Sequence, residues 1–285
     1  RAAQSQKATN SFRKRQKLLC SKRSYCTRLQ HRIKRRNNRA AKMYSGYGYG
    51  DPESGGNFQN TFSAFEEKSI RLGFIRKVYG ILSVQLFISF AFVLIPTVNE
   101  HVALFARNNP WLLILSLVIA FGSMITLACC EVHRSFPTNF ICLGLFTLAE
   151  SFMLMAVGAT TKPEIVLWAV IITAVVCIAL TIFAFQTKID FTVFNGIMFV
   201  LLIVLMVMGI IMMFIEWSRV LHLVYAGLGA FIFSAYLVID TQMIIGGSHK
   251  YQFSPEDYVF AAITLYVDII NLFLMILTIL QASRD

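Results

Sequence analysis

Apolar and polar positions are not finely interleaved in this chain; they alternate in long blocks. Span-length apolar runs occupy residues 78–95, 111–130, 140–159, 165–185, 191–215, 221–245 and 258–280. Each is long enough to cross a hydrocarbon core of roughly 30 Å as a helix, so the pattern predicts seven transmembrane helices. The connectors between them (100–110, 131–139, 160–164, 186–190, 216–220 and 246–257) are short and hold nearly all the remaining charge. No soluble domain fits between the spans. The predicted fold class is an all-α membrane protein.

Charge changes the picture only at the N-terminal end. The formal charge of +11 would suggest nucleic acid as partner, but residues 1–43 hold 15 of the 26 Lys and Arg and none of the 15 Asp and Glu. The rest keeps 11 basic against 15 acidic residues, a net of −4, so no nucleic-acid partner is expected. Residues 1–42 form a basic tail that is expected not to belong to the native protein, because the first Met, Met43, opens a segment of very different composition. A polybasic arm for anionic lipid and a transit peptide are the functional alternatives. Residues 43–69, rich in Gly, Ser and Tyr, read as a flexible cytosolic leader, and 70–285 as the transmembrane domain.

The Lys/Arg bias sets the expected orientation. Lys68, Arg71, Arg76, Lys77, Arg134, Lys188 and Lys250 fall on one side, against Arg107, Lys162, Arg219 and Arg284 on the other, which puts the N-terminus in the cytosol. Of six Cys, Cys20 and Cys26 lie in the tail, and Cys129, Cys130, Cys142 and Cys177 lie in or beside apolar runs. Neither a disulfide framework nor a zinc site is indicated.

Three acids remain inside the spans, Glu150, Asp240 and Asp268, and no Lys or Arg accompanies them there. A carboxyl at membrane depth is costly unless it faces the bundle interior and finds a partner, so each is a candidate ionisable site. With no base available, such acids stay protonated, share a proton, or bind a cation. Thr264 at i−4 and Asn271 at i+3 give Asp268 a polar stripe, and Asp240 has Tyr236 at i−4. Asp240 stands five residues before the end of span six and Asp268 ten after the start of span seven, roughly 7 and 15 Å from the same side. Small residues at Ala226, Gly229 and Ala230 suit close packing of span six, with span seven as the expected neighbour. Two facing carboxyls in low dielectric cannot both ionise cheaply, and they titrate as a unit. Their oxygens also suit a hard cation such as Ca²⁺ in transient contact. The plainer alternative has both Asp neutral and merely bonded to neighbouring helices; Glu150 is either a packing residue or a third member of the same path. No catalytic constellation is present, so no enzyme is expected, and no bound cofactor.

These residues resemble the lifeguard and Bax-inhibitor family, the transmembrane Bax-inhibitor-motif proteins. The resemblance rests on FIRKVYGILSVQL (74–86), FQTKIDFT (185–192), YLVIDTQ (236–242) and SPEDYVFAAITLYVDIINLFLMIL (254–277), in order across residues 70–280. Counted from Met43, length and leader are most similar to the Golgi anti-apoptotic branch. The resemblance implies a seven-helix bundle with the last helix central, and a pH-sensitive Ca²⁺ leak from internal stores that lowers store calcium and inhibits apoptosis. It assigns the family's gating aspartates to Asp240 and Asp268, on a multi-pass protein of Golgi or endoplasmic reticulum. Membrane lipid, calcium ions and apoptosis-regulating or calcium-release membrane proteins are the implied partners. The basic partner of that gate in bacterial relatives has no match within a span here. Two other functions stay open: an anti-apoptotic membrane-embedded binding protein acting through partner proteins, and a proton-coupled cation transporter.

Overall fold

A computed structural model of the chain describes residues 55–129, 137–212, 214, 218–247 and 249–284, with side chains from residue 67 onward except at 128 and 129. The basic tail, the leader before residue 55, and the Cys130, Glu131, Arg134, Glu216 and Trp217 positions lie outside the described residues. The chain divides into two units, Arg1–Ser63 and Ala64–Asp285. The second unit holds every described side chain.

The described residues form helices and no strand. In order these are α1 (Gly55–Val98), α2 (Glu100–Asn108), α3 (Trp111–Cys129), α4 (Thr138–Thr160), α5 (Pro163–Gln186), a 3₁₀ turn (Phe191–Phe194), α6 (Asn195–Met212), α7 (Arg219–Ile245) and α8 (Tyr258–Arg284). Helix α1 is already formed over residues 55–69, where composition suggests a flexible leader. The stretch contains no Pro after Pro52, and it sets Glu67 one turn before Arg71, an order that favours helix.

Among the described residues, six helices are long and apolar enough to cross a membrane: α1, α4, α5, α6 with its 3₁₀ turn, α7 and α8. Helices α2 and α3 pass the same test only together, bent by 80° at the break between them, and as one broken span they make seven. The sequence pattern suggests a plain connector over 100–110. Instead, Asn99 caps a nine-residue helix by accepting from the His101 N–H at 3.0 Å. The bend follows from Pro110, which disfavours helical backbone at Asn109. Asn109 then braces the corner, its Nδ2 donating to Phe105 O at 2.8 Å and its Oδ1 accepting from Trp111 Nε1 at 3.2 Å.

Lipid tails are as apolar as Leu, so helices in a bilayer are held by close packing and polar contacts rather than by escape from water. Helices α7 and α8 form the most extensive pair, α5 lies against both, α6 against α7, and α2 and α3 pack on α4. Gly229 shows how close α7 and α8 come, since a Cβ there would stand 2.5 Å from Met275 Sδ. Ala226 and Phe233 on the same face are buried too. Burial separates the helices by role: 56% of the most apolar stretch of α8 is buried in the bundle, against 6% for α6, which packs mainly on α7.

Candidate functional site: a carboxyl pair beneath a clamped helix end

The register of α7 and α8 turns Asp240 and Asp268 inward, each only 6% exposed. The Asp240 carboxyl is paired with the Asp268 carboxyl and lies close to the Thr264 hydroxyl, which itself donates to Ala261 O at 3.1 Å. A bond between two carboxyls requires at least one proton between them, because an ionised carboxylate only accepts. Asp268 Oδ2 is left without a hydrogen-bond partner among the described residues. Tyr236 of α7 stands within electrostatic range of both carboxyls, and Cys177 of α5 within range of Asp268. Of the other residues singled out by spacing, Thr264 stands next to the Asp240 carboxyl. Asn271 does not, since its Nδ2 donates to Val267 O on its own helix at 2.8 Å. Glu150 of α4 is electrostatically coupled to Tyr266 instead, on another side of α8.

Just beyond Asp240, α7 ends in a backbone clamp. Arg71 of α1 donates from Nε to Ile245 O at 3.0 Å, from one terminal nitrogen to Phe253 O at 2.7 Å and from the other to Met243 O at 2.8 Å. The fork of the guanidinium thus satisfies carbonyls that the helix end leaves open, and its positive charge suits the negative end of the helix dipole. Gly246, with φ at 65°, turns the chain out of the helix. A side chain there would be strained and would also overlap the guanidinium.

A second clamp ties the same end to the α5–α6 connection. The fully buried Gln242 accepts from Phe191 N at 2.8 Å through Oε1 and donates to Ile189 O at 2.8 Å through Nε2. Beside it, Asp190 accepts from Thr192 Oγ1 at 2.6 Å, Thr192 N at 3.0 Å and Lys250 N at 2.9 Å, with His249 Nδ1 at 3.3 Å. The Thr192 hydroxyl first, then the Lys250 N–H, hold the Asp190 carboxyl below the usual carboxylate range. Asp190 therefore fastens the 246–253 loop as a charged acceptor.

A feature that sequence reading missed lies between α1, α4 and α8. Ser89 Oγ is 2.7 Å from Tyr266 Oη and 3.0 Å from Ser151 Oγ, and one turn away Gln85 Nε2 donates to Thr147 Oγ1 at 3.0 Å. All five side chains are buried. The available signal was the matched i, i+4 spacing, Gln85 with Ser89 and Thr147 with Ser151, which draws one polar stripe on each helix.

Calcium prefers six to eight oxygen ligands, and no cluster of three or more His, Cys, Asp or Glu that could hold a metal occurs among the described residues.

Helices of span length around a buried acid pair define a polytopic helical membrane protein with an intramembrane carboxyl site. The chain belongs to the Bax-inhibitor family: the family model described as "Inhibitor of apoptosis-promoting Bax1" matches residues 71–285. It is 41% identical over 247 residues to Protein lifeguard 3 of Mus musculus, covering 85% of this chain and 79% of that protein. The Homo sapiens Protein lifeguard 3 is 41% identical over 239 residues, 82% and 76% of the two chains. Bax inhibitor 1 of Schizosaccharomyces pombe is 37% identical over 233 residues, 80% and 84%. The stretches that carry the resemblance meet in space. Gln242 of 236–242 grips Ile189 and Phe191 of 185–192, and Asp240 bonds Asp268 of 254–277.

Proposed function

We propose that this chain is a pH-sensitive calcium leak channel of an internal membrane, Golgi or endoplasmic reticulum, that lowers store calcium and thereby inhibits apoptosis. The buried pairing of the Asp240 and Asp268 carboxyls carries this reading. While the carboxyls share a proton they hold α7 to α8; without it two like charges face one another in a medium that screens them poorly. Proton occupancy of the pair thus acts on helix packing. Calcium is cargo, met briefly by the same oxygens. The Lys68, Arg71, Arg76 and Lys77 cluster supports a cytosolic N-terminus, which puts the Arg71 and Gln242 clamps on the cytosolic side of the gate. Relatives named as Bax inhibitors support the anti-apoptotic role. Apoptosis-regulating or calcium-release membrane proteins are the expected partners.

The deciding experiment is calcium efflux from proteoliposomes across a pH series, with wild type, Asp240→Asn and Asp268→Asn. Both variants should lose the pH dependence of the leak; a wild-type profile in both overturns the gate. Should the variants lose regulated leak yet still protect cells from death, action through partner proteins replaces the channel reading. Proton counter-flux coupled to calcium would make it a transporter.

A further inference from the structure

Between α1 and α4 runs a lateral groove of about 750 Å³, separate from the carboxyl pair. Its walls follow helical periodicity, with Gly80, Val84 and Ile88 on α1 opposite Gly144 and Leu148 on α4. The two glycines make its width, since a Cβ on either meets nothing within 4 Å. Below its mouth the groove is mostly apolar, with the Gln85–Thr147 hydrogen bond at its floor, and it opens sideways toward the bilayer, where Val84 is 60% and Leu148 45% exposed.

One mouth is charged. Arg76 and Lys77 lie there beside Tyr258, with the Lys77 ammonium 5.4 Å from the centre of the Tyr258 ring. Neither cation has a carboxylate partner among the described residues. Along α1 the distance from Arg76 to Ile88 is about 18 Å at the helical rise, close to half of a hydrocarbon core of roughly 30 Å. The groove is thus one leaflet deep, basic at the headgroup level and apolar below. Its volume falls within the roughly 300–1,000 Å³ of ligand clefts.

We propose that this groove is a binding site for an anionic phospholipid, with the headgroup phosphate against Arg76 and Lys77 and one acyl chain lying over Gly80 and Gly144. Charge complementarity selects the anionic class, because a zwitterionic headgroup brings its own cation to a mouth that already has two. Nothing in this assignment depends on what the carboxyl pair does.

Photo-crosslinking of the full chain tests it. The protein is reconstituted in phosphatidylcholine vesicles carrying a trace of either phosphatidate or phosphatidylcholine with a photoactivatable acyl tail. Phosphatidate should label peptides spanning 78–88 and 140–148 on the order of 25-fold over phosphatidylcholine, at about fivefold per basic side chain near the headgroups. Arg76→Gln with Lys77→Gln should bring the two lipids to equal labelling. Gly80→Leu with Gly144→Leu should remove labelling by both from these peptides while α6 stays labelled; if that variant fails to fold, the charge variant decides alone. Excess inorganic phosphate should leave wild-type labelling intact. Equal labelling by the two lipids in wild type, preference that survives loss of Arg76 and Lys77, or displacement by free phosphate each overturns the proposal.

Discussion

Helix α8 carries two buried polar systems only two residues apart. Tyr266 and Asp268 point to different sides of the helix, since residues at i and i+2 do not share a face. Tyr266 enters a ladder of hydroxyls and an amide with α1 and α4, and Asp268 enters the carboxyl pair with α7. Among the described residues each leaves one buried oxygen unmatched, Gln85 Oε1 in the ladder and Asp268 Oδ2 in the pair. The systems differ in what protons do to them. Ser, Thr and Gln side chains keep one charge state across the biological pH range, so the ladder is permanent glue. A carboxyl pair changes sign of interaction with a single proton. One side of α8 is held by groups that keep one charge state, the other by groups that can ionise.

The largest effect that would break this contrast is on regulation. Asp240→Asn and Asp268→Asn should each abolish the pH dependence of calcium efflux from proteoliposomes, and a ladder variant that did the same would erase the distinction. Next comes the clamp. Arg71→Ala removes three charge-assisted hydrogen bonds and leaves the end of α7 open, a loss of about 3 kcal/mol. It should appear as a lowered melting temperature in detergent and faster hydrogen exchange over 243–253. Tyr266→Phe should cost only about 0.6 kcal/mol, the usual size of an interhelical hydrogen bond in a bilayer, with the pH profile of efflux unchanged.

The smallest expected effect concerns Asp190. Its hydrogen bonds hold its carboxyl below the ordinary range, so the stability it lends the 246–253 loop is present above about pH 4 and is lost as pH falls through the lowered value. Through the neutral range the carboxylate itself stays ionised. Asp190→Asn should therefore loosen that loop in hydrogen exchange while leaving the shape of the efflux profile between pH 5 and 8 as in wild type. A changed shape would move the sensor from the membrane to the loops.

The acid pair was legible because charge inside a span is conspicuous against Leu, Ile and Val, and helical spacing already tied Thr264 to it. Asn271 has the same spacing credentials, yet its amide bonds its own backbone; periodicity gives a face and not a partner. The hydroxyl ladder escaped notice because Ser, Thr and Tyr are ordinary in membrane helices and its members are 62 and 177 positions apart. In the sequence Arg71 carries only an orientation signal, since its partners are main-chain carbonyls with no sequence signature. The bend before α3 had a visible cause in Pro110, but composition alone classed its surroundings as a connector.

Arg71 also has a temporal meaning. The guanidinium that finishes α7 is translated 174 residues before the carbonyl of Ile245 that it binds. As the chain leaves the ribosome, the first span must wait in the bilayer through the insertion of every span between before its arginine has anything to hold. Its partners lie 172 to 182 residues further on, so the clamp can close only once α7 and the start of the next loop have been made, with α8 still to follow.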